Sequence, residues 1–180
     1  MTVPQIKLVR PSLDHKQSFL AGLSEMTNSS DIDSWIYMGG SQLDLPERDF
    51  ESYVAALLER ETNPPKGFVK DTVYWASCQS EVVGRIAIRH DLNDFLKKIG
   101  GHIGYIVRPS WRGKGLATEM LRQLLLTDRA ISIGKLLLTC DETNLASERT
   151  LLKNGAVFTN FLEMGENKPR KKHFWITLSK

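Results

Sequence analysis

Gly101-His-Ile-Gly-Tyr-Ile-Val-Arg-Pro-Ser-Trp-Arg-Gly-Lys-Gly-Leu-Ala-Thr118 joins a strand to a helix through a basic, glycine-rich turn. Its first half alternates as a strand, and Pro109 ends it because proline has no N–H to give to a sheet ladder. A turn carrying Arg112, Gly113, Lys114 and Gly115 follows, and from Gly115 to Ala130 the residues Ala117, Met120, Leu121, Leu124 and Leu125 form one apolar helical face. Unpaired backbone N–H groups and the positive end of a helix therefore converge on a glycine-rich turn, which is an anion site suited to phosphates. Glycine lets the backbone approach the anion, and Arg112 and Lys114 add charge at the rim. A Walker loop does not fit, since Lys114 is followed by Gly115 rather than Ser or Thr. A dinucleotide fingerprint does not fit either: the run Gly113-Lys-Gly115-Leu-Ala-Thr lacks the third glycine and lies mid-chain.

Working outward, Ile6 to Arg10 reads as a strand and Asp14 to Met26 as a helix bearing Phe19, Leu20, Leu23 and Met26. Thr27 to Leu43 is rich in Ser, Asp and Gly but holds Trp35, Ile36, Tyr37 and Met38, which either line a pocket or pack a short helix onto the core. Asp44-Leu45-Pro46-Glu47 supplies a capping carboxylate and an early proline ahead of Phe50, Tyr53, Val54, Leu57 and Leu58, the pattern of a second helix. Val73 to Cys78 and Val82 to His90 form a hairpin around Gln79-Ser80, with Ile86 and Ile88 on a buried face and Arg85, Ala87 and Arg89 on the other. Leu136 to Cys140 is a strand covered on both faces, Asn144 to Asn154 a helix stopped by Gly155, and Ala156 to Leu162 with His173 to Leu178 are the last strands. Strands and helices in this order give an α/β (α+β) chain, expected to be a single domain over residues 1–180.

Composition narrows the function classes. The net charge of +3, from 24 basic and 21 acidic residues, is too mild to indicate nucleic acid as a partner. With 41% hydrophobic and 25% charged residues and no long apolar run, the chain reads as soluble and non-membrane; no apolar signal core follows the start, so a cytoplasmic location is expected. Cys78 and Cys140 lie in apolar runs, as buried free thiols do, and four scattered His make no metal cluster.

The run Arg112-Gly-Lys-Gly115-Leu-Ala117 resembles the pyrophosphate loop of the GCN5-related N-acetyltransferase (GNAT) superfamily, Gln/Arg-x-x-Gly-x-Gly/Ala. Ile103-Gly-Tyr-Ile-Val-Arg-Pro109 and Asn144-Leu-Ala-Ser-Glu-Arg-Thr-Leu-Leu-Lys-Asn-Gly155 are similar to its fourth strand and late helix, so the resemblance is strong over 101–158 and weaker before residue 80. The phrases Ile-Gly-Tyr, Gly-Lys-Gly-x-Ala-Thr-Glu and Asn-x-Ala-Ser bring it nearest to the bacterial branch with the ribosomal-protein N-terminal acetyltransferases. The resemblance implies a mixed, mainly antiparallel sheet with helices on both faces, splayed between the strands at His102 and Leu136. It implies acetyl-CoA as cosubstrate, no metal, and a small-molecule or protein amine as acceptor. Arg112, Gly113, Lys114, Gly115, Leu116, Ala117 and Thr118 would bind the pyrophosphate, backbone groups near Ile106 and Val107 the pantetheine, and Asn144 the same arm. Asn144 is also a natural helix cap.

For catalysis, acyl transfer to an amine needs a neutral nucleophile, a polarised carbonyl and a proton for the thiolate. His102, at the strand entrance where relatives often carry Glu, is the candidate base, against a simple hydrogen-bonding role. Leu151 occupies the place of the relatives' Tyr acid, and Ser147 is the replacement donor, unless its hydroxyl merely helps cap the helix. A backbone N–H near Val107 would hold the oxyanion. Arg89, His90 and Asn93, with Trp35 and Tyr37, are the candidate acceptor contacts. Lys168-Pro-Arg-Lys-Lys-His173 reads either as a solvated turn or as a steering patch for an acidic partner. A non-catalytic acyl-CoA sensor and an RNA-associated module are the competing functions, and monomer and homodimer are both open.

Overall fold

The computed structural model describes residues 3–38 and 42–178; Gly39, Gly40 and Ser41, within the Ser/Gly-rich stretch that ends at Leu43, lie outside the described residues. Strands β1 (Lys7–Val9), β2 (Asp71–Cys78), β3 (Glu81–Arg89) and β4 (Ile103–Val107) form one antiparallel sheet in that spatial order. The hairpin turn between β2 and β3 places Gln79 and Ser80 at φ 49° and 70°, the left-handed pair that matches the twist of tightly connected strands. Strands β5 (Lys135–Asp141), β6 (Val157–Leu162) and β7 (Lys171–Thr177) form a second sheet in the order β5-β7-β6, also antiparallel. The sheets meet where the His102 N–H donates to the Leu137 carbonyl at 2.7 Å and the Leu137 N–H donates to His102 Nδ1 at 2.9 Å. Beyond that clasp β4 and β5 are members of different sheets, and the opening implied for the chain lies between them.

Helices cover both faces of the first sheet. On one side α5 (Leu116–Leu125) and α7 (Leu145–Lys153) pack Met120, Leu121, Leu124 and Leu151 against Ile86, Ile88, Ile103 and Phe174. On the other, α1 (Lys16–Ser24), α2 (Ser29–Ile36) and α4 (Phe50–Glu59) bury Phe19, Trp35 and Tyr53 against Trp75, Val82 and Ala87. Each fully buried Leu, Ile, Met, Val or Phe among them contributes roughly 1.5–3 kcal/mol by removal from water. The expectation of one buried face on β3 therefore fails: Arg85 is 3% exposed and Ala87 0%, because the second helix layer lies over them.

Two expected helices are each divided. The segment after Asp44 makes a single turn, α3 (Leu45–Arg48), and restarts at α4, where the Asp49 carboxylate, rather than Asp44, accepts the Ser52 N–H at 3.0 Å. The break lets Leu45 and Pro46 as well as Phe50, Tyr53, Val54 and Leu57 reach the interior. Likewise α5 stops at Leu125, and Thr127 caps a separate α6 (Asp128–Ile133) that buries Ala130. The Trp35 segment is the helix α2, capped by Asn28 and ended by Tyr37 at φ 63°.

Candidate functional site

The turn before α5 has the form its sequence demanded. Gly113 and Gly115 adopt φ 76° and 80°, conformations that cost a residue with a Cβ about 1–2 kcal/mol. A Cβ on Gly113 would meet nothing within 4 Å, so the backbone conformation alone calls for glycine there. Arg112, Gly113, Gly115, Ala117 and Thr118 line a cavity of about 710 Å³ whose opposite walls are β4, the end of β5 and the first turn of α7. Arg112 Nε donates to the Val107 carbonyl at 3.1 Å and its Nη2 to Asp31 Oδ2 at 3.0 Å. The Arg89 N–H donates to the His102 carbonyl and the Arg108 N–H to the Val83 carbonyl. The two-residue alternation of an antiparallel ladder then turns the peptide groups of Gly104 and Ile106 toward β3, and those of Tyr105 and Val107 toward the opening.

At the start of α7 the Asn144 side-chain oxygen accepts the Ser147 N–H at 3.0 Å, so Asn144 is the cap. The Ser147 hydroxyl is engaged elsewhere, 2.7 Å from the Tyr105 hydroxyl. Burial pushes the Tyr105 phenol up to about 12, outweighing the opposing hydrogen bond from Ser147, so the pair is neutral and protonated at physiological pH. Tyr105 also lines a second cavity of about 620 Å³, whose walls include Tyr37, Arg60, Phe68, Arg85, Arg89 and Asn93. Ser34, Arg89, Gly104 and Tyr105 line both cavities. The two spaces thus share a boundary at Tyr105, whose hydroxyl partner Ser147 lines the first.

Residues 6–157 match the family model described as the acetyltransferase (GNAT) domain. The chain belongs to the GNAT family. No curated protein matches it by sequence. Among solved structures it is similar to the microcin C7 self-immunity acetyltransferase MccE in complex with acetyl-CoA and AMP, with a TM-score of 0.66, 14% identity, and 97% of this chain and 93% of that chain covered. The ribosomal-protein α-N-acetyltransferase RimL in complex with coenzyme A gives a TM-score of 0.65 at 15% identity, covering 99% and 98%. RimJ from Mycobacterium smegmatis, in complex with a coenzyme A disulfide, gives 0.65 at 17%, covering 97% of this chain and 83% of that one. At these identities the likeness is one of fold.

Within this GNAT chain several sequence-derived positions move. His102 is 7% exposed and absent from the walls of both cavities; its ring nitrogen joins two strands, and burial holds its pKa below the ordinary imidazole value. Trp35 is fully buried, stacked on Phe19 at 5.3 Å with its indole N–H donating to the Phe19 carbonyl, so it is core rather than pocket. His90 pairs with the Thr72 hydroxyl at 2.8 Å, away from the cavity walls. Lys114 stands 4.7 Å over the Trp111 ring and donates to the Ser110 carbonyl, off the cavity wall. Ile106 lines the first cavity, but its peptide groups face β3. Tyr37, Arg89 and Asn93 do line the second cavity. In the basic run, Arg170 pairs with Glu142, Lys171 with Asp141 and Lys172 with Glu148, which consumes the charge a steering patch would need. Arg60, Arg85 and Tyr105 join the cavity walls although the sequence marks none of them as a site residue; Tyr105 alone has a local cue, its place on the same strand face as Ile103 and Val107, next to the loop.

Proposed function

We propose that the protein transfers an acetyl group from acetyl-CoA to a primary amine by direct attack in a ternary complex. The observation that carries this reading is the Tyr105–Ser147 hydroxyl pair at the boundary of two cavities, one ending on the glycine and arginine loop. The loop would hold the pyrophosphate with the Gly113 and Gly115 backbone and Arg112, and the outward peptide groups of Tyr105 and Val107 would hold the pantetheine arm. The amine nitrogen attacks the thioester carbonyl carbon, the C–S bond breaks, and the thiolate takes its proton from the Ser147 hydroxyl; Ser147 is reprotonated through Tyr105 by a proton from solvent, and the proton lost by the amine leaves to solvent. Among the described residues no imidazole lines either cavity. Cys140 lines the first cavity, but burial pushes its thiol up to about 11, which keeps it from serving as a thiolate nucleophile and favours direct attack.

Calorimetry with acetyl-CoA, alongside thiol release on an amine panel, tests the reading. Arg112→Glu is expected to weaken acetyl-CoA binding at least about tenfold, by reversing one charge beside the pyrophosphate. Unchanged affinity in the folded variant would remove the loop from the site. Acetyl-CoA binding with no thiol release from any amine would make the chain a sensor instead.

A further inference from the structure

The second cavity holds more positive charge than its own carboxylates neutralise. Arg60 and Arg85 are each 3% exposed, and Arg89 is half-buried. Asp71, 1% exposed, is the buried carboxylate on this wall, and Arg60 takes it with Nε at 2.9 Å and Nη2 at 2.6 Å. Asp33, the other lining carboxylate, is exposed. Arg85 is held by the backbone carbonyls of Ser34 and Gly104, and Arg89 by those of Gly100 and Gly101. Neither has a carboxylate within ion-pair distance among the described residues. A buried guanidinium without a counter-charge is costly, and burial accordingly pushes Arg85 down to about 10.

A second observation points to a ligand. Arg60 Nη1 is buried with no hydrogen-bond partner, while the rest of its guanidinium is committed to Asp71 and lies against the rings of Tyr37 at 4.8 Å and Phe68 at 5.2 Å. A buried charged donor left unmet is unfavourable, and an anion in the cavity beside it offsets that charge. Gly104 lies beside the Arg89 guanidinium where the two cavities meet, since a Cβ there would stand 3.6 Å from Arg89 Nη2, in ordinary contact.

Taking the second cavity as the acceptor site, an assignment that rests on the function proposed above, we propose that its substrate is a small amine that also carries an anionic group, a carboxylate or a phosphate ester. The anion is held by Arg60, Arg85 and Arg89. Tyr37, Phe68 and Phe95 cover the hydrocarbon between, and the amine is directed to Tyr105. A cavity of about 620 Å³ suits a molecule of amino-acid to small-peptide size.

Matched acceptors test this with the full chain and acetyl-CoA: phenylalanine against phenylalaninamide, and O-phosphoethanolamine against ethanolamine. Thiol release reports turnover. Calorimetry with N-acetylphenylalanine and its amide, in the presence of coenzyme A, reports binding without chemistry. One anionic member is expected to exceed its neutral partner about thirtyfold in kcat/KM, the factor that about 2 kcal/mol supplies. The carboxylate and phosphate arms show which anion is preferred. Arg89→Gln, chosen because Arg89 is half-buried, should collapse that ratio while the melting temperature holds. Equal turnover of anionic and neutral partners, or equal binding of acid and amide, overturns the proposal while leaving acetyl transfer standing. Binding of the acid alone without thiol release would uphold the anion site and sink the enzymatic reading. Failure of both anionic arms to react or bind overturns the anion site outright.

Discussion

At the scale of single residues, the decisive contact is the 2.7 Å hydrogen bond between Tyr105 and Ser147. Asn144 caps α7, so the Ser147 hydroxyl is not spent on the helix and its loss should leave stability nearly unchanged. Ser147→Ala and Tyr105→Phe are each expected to lower kcat about tenfold, the equivalent of one hydrogen bond of ~1.4 kcal/mol in the transition state. The double variant should lose little more than either alone, since the two hydroxyls act as a unit. Stopped assays on folded protein, paired with melting curves, check this; full multiplicativity would mean independent roles. A phenol raised to about 12 stays protonated across the usable range. Turnover should therefore rise with deprotonation of the amine and show no falling limb from the donor below about pH 10.

At the scale of elements, His102 joins β4 to β5, accepting the Leu137 N–H where the two sheets are clasped. Burial lowers its folded-state pKa, so the unfolded chain binds the proton more tightly. The stability it contributes is present above the unfolded value of about 6.5 and is lost as pH falls through the folded value. His90 is lowered as well and adds to the same trend. His102→Ala is expected to cost about 1–3 kcal/mol at neutral pH by leaving the Leu137 N–H unpaired. His102→Asn, which keeps an acceptor, should cost less and flatten the loss of melting temperature below pH 6.5. Neither should change kcat per folded molecule by more than about twofold. A hundredfold drop in a stable variant would reinstate His102 as the catalytic base.

At the scale of the whole molecule, Arg60 at the end of α4 and Asp71 at the head of β2 form an ion pair that fastens the helical layer to the first sheet. Burial pulls Arg60 down, but Asp71 outweighs it and holds the guanidinium above its usual value. Asp71→Ala should therefore destabilise the fold by about 3–5 kcal/mol, because it strands a buried charge. Combining Arg60→Met with Asp71→Leu should recover most of that loss, which denaturant titration of the three proteins would show. If the single variant cost no more than a surface substitution, the pair would be a bystander to stability.

The legible features were local ones. The loop from Arg112 to Gly115 was readable because its chemistry is carried by consecutive backbone groups and by glycines whose left-handed φ no other residue adopts cheaply. The strands were readable from two-residue alternation, and the helices from apolar spacing, though not where Asp49 and Thr127 restart them. Sequence alone therefore gives the main strands and helices in order, the glycine turn before α5, the Asn144 cap and the resemblance to the family. Contacts across distance come from the packing. Tyr105 and Ser147 are 42 positions apart, and Arg60, Arg85 and Arg89 share one cavity only because a helix end and a strand are packed together. The same packing buried Trp35, His90 in part and His102, residues whose types suggest chemistry when read alone. Periodicity reports which face of an element is apolar; it carries no information on which elements then close over the other face, and that closure selects the residues able to meet a substrate.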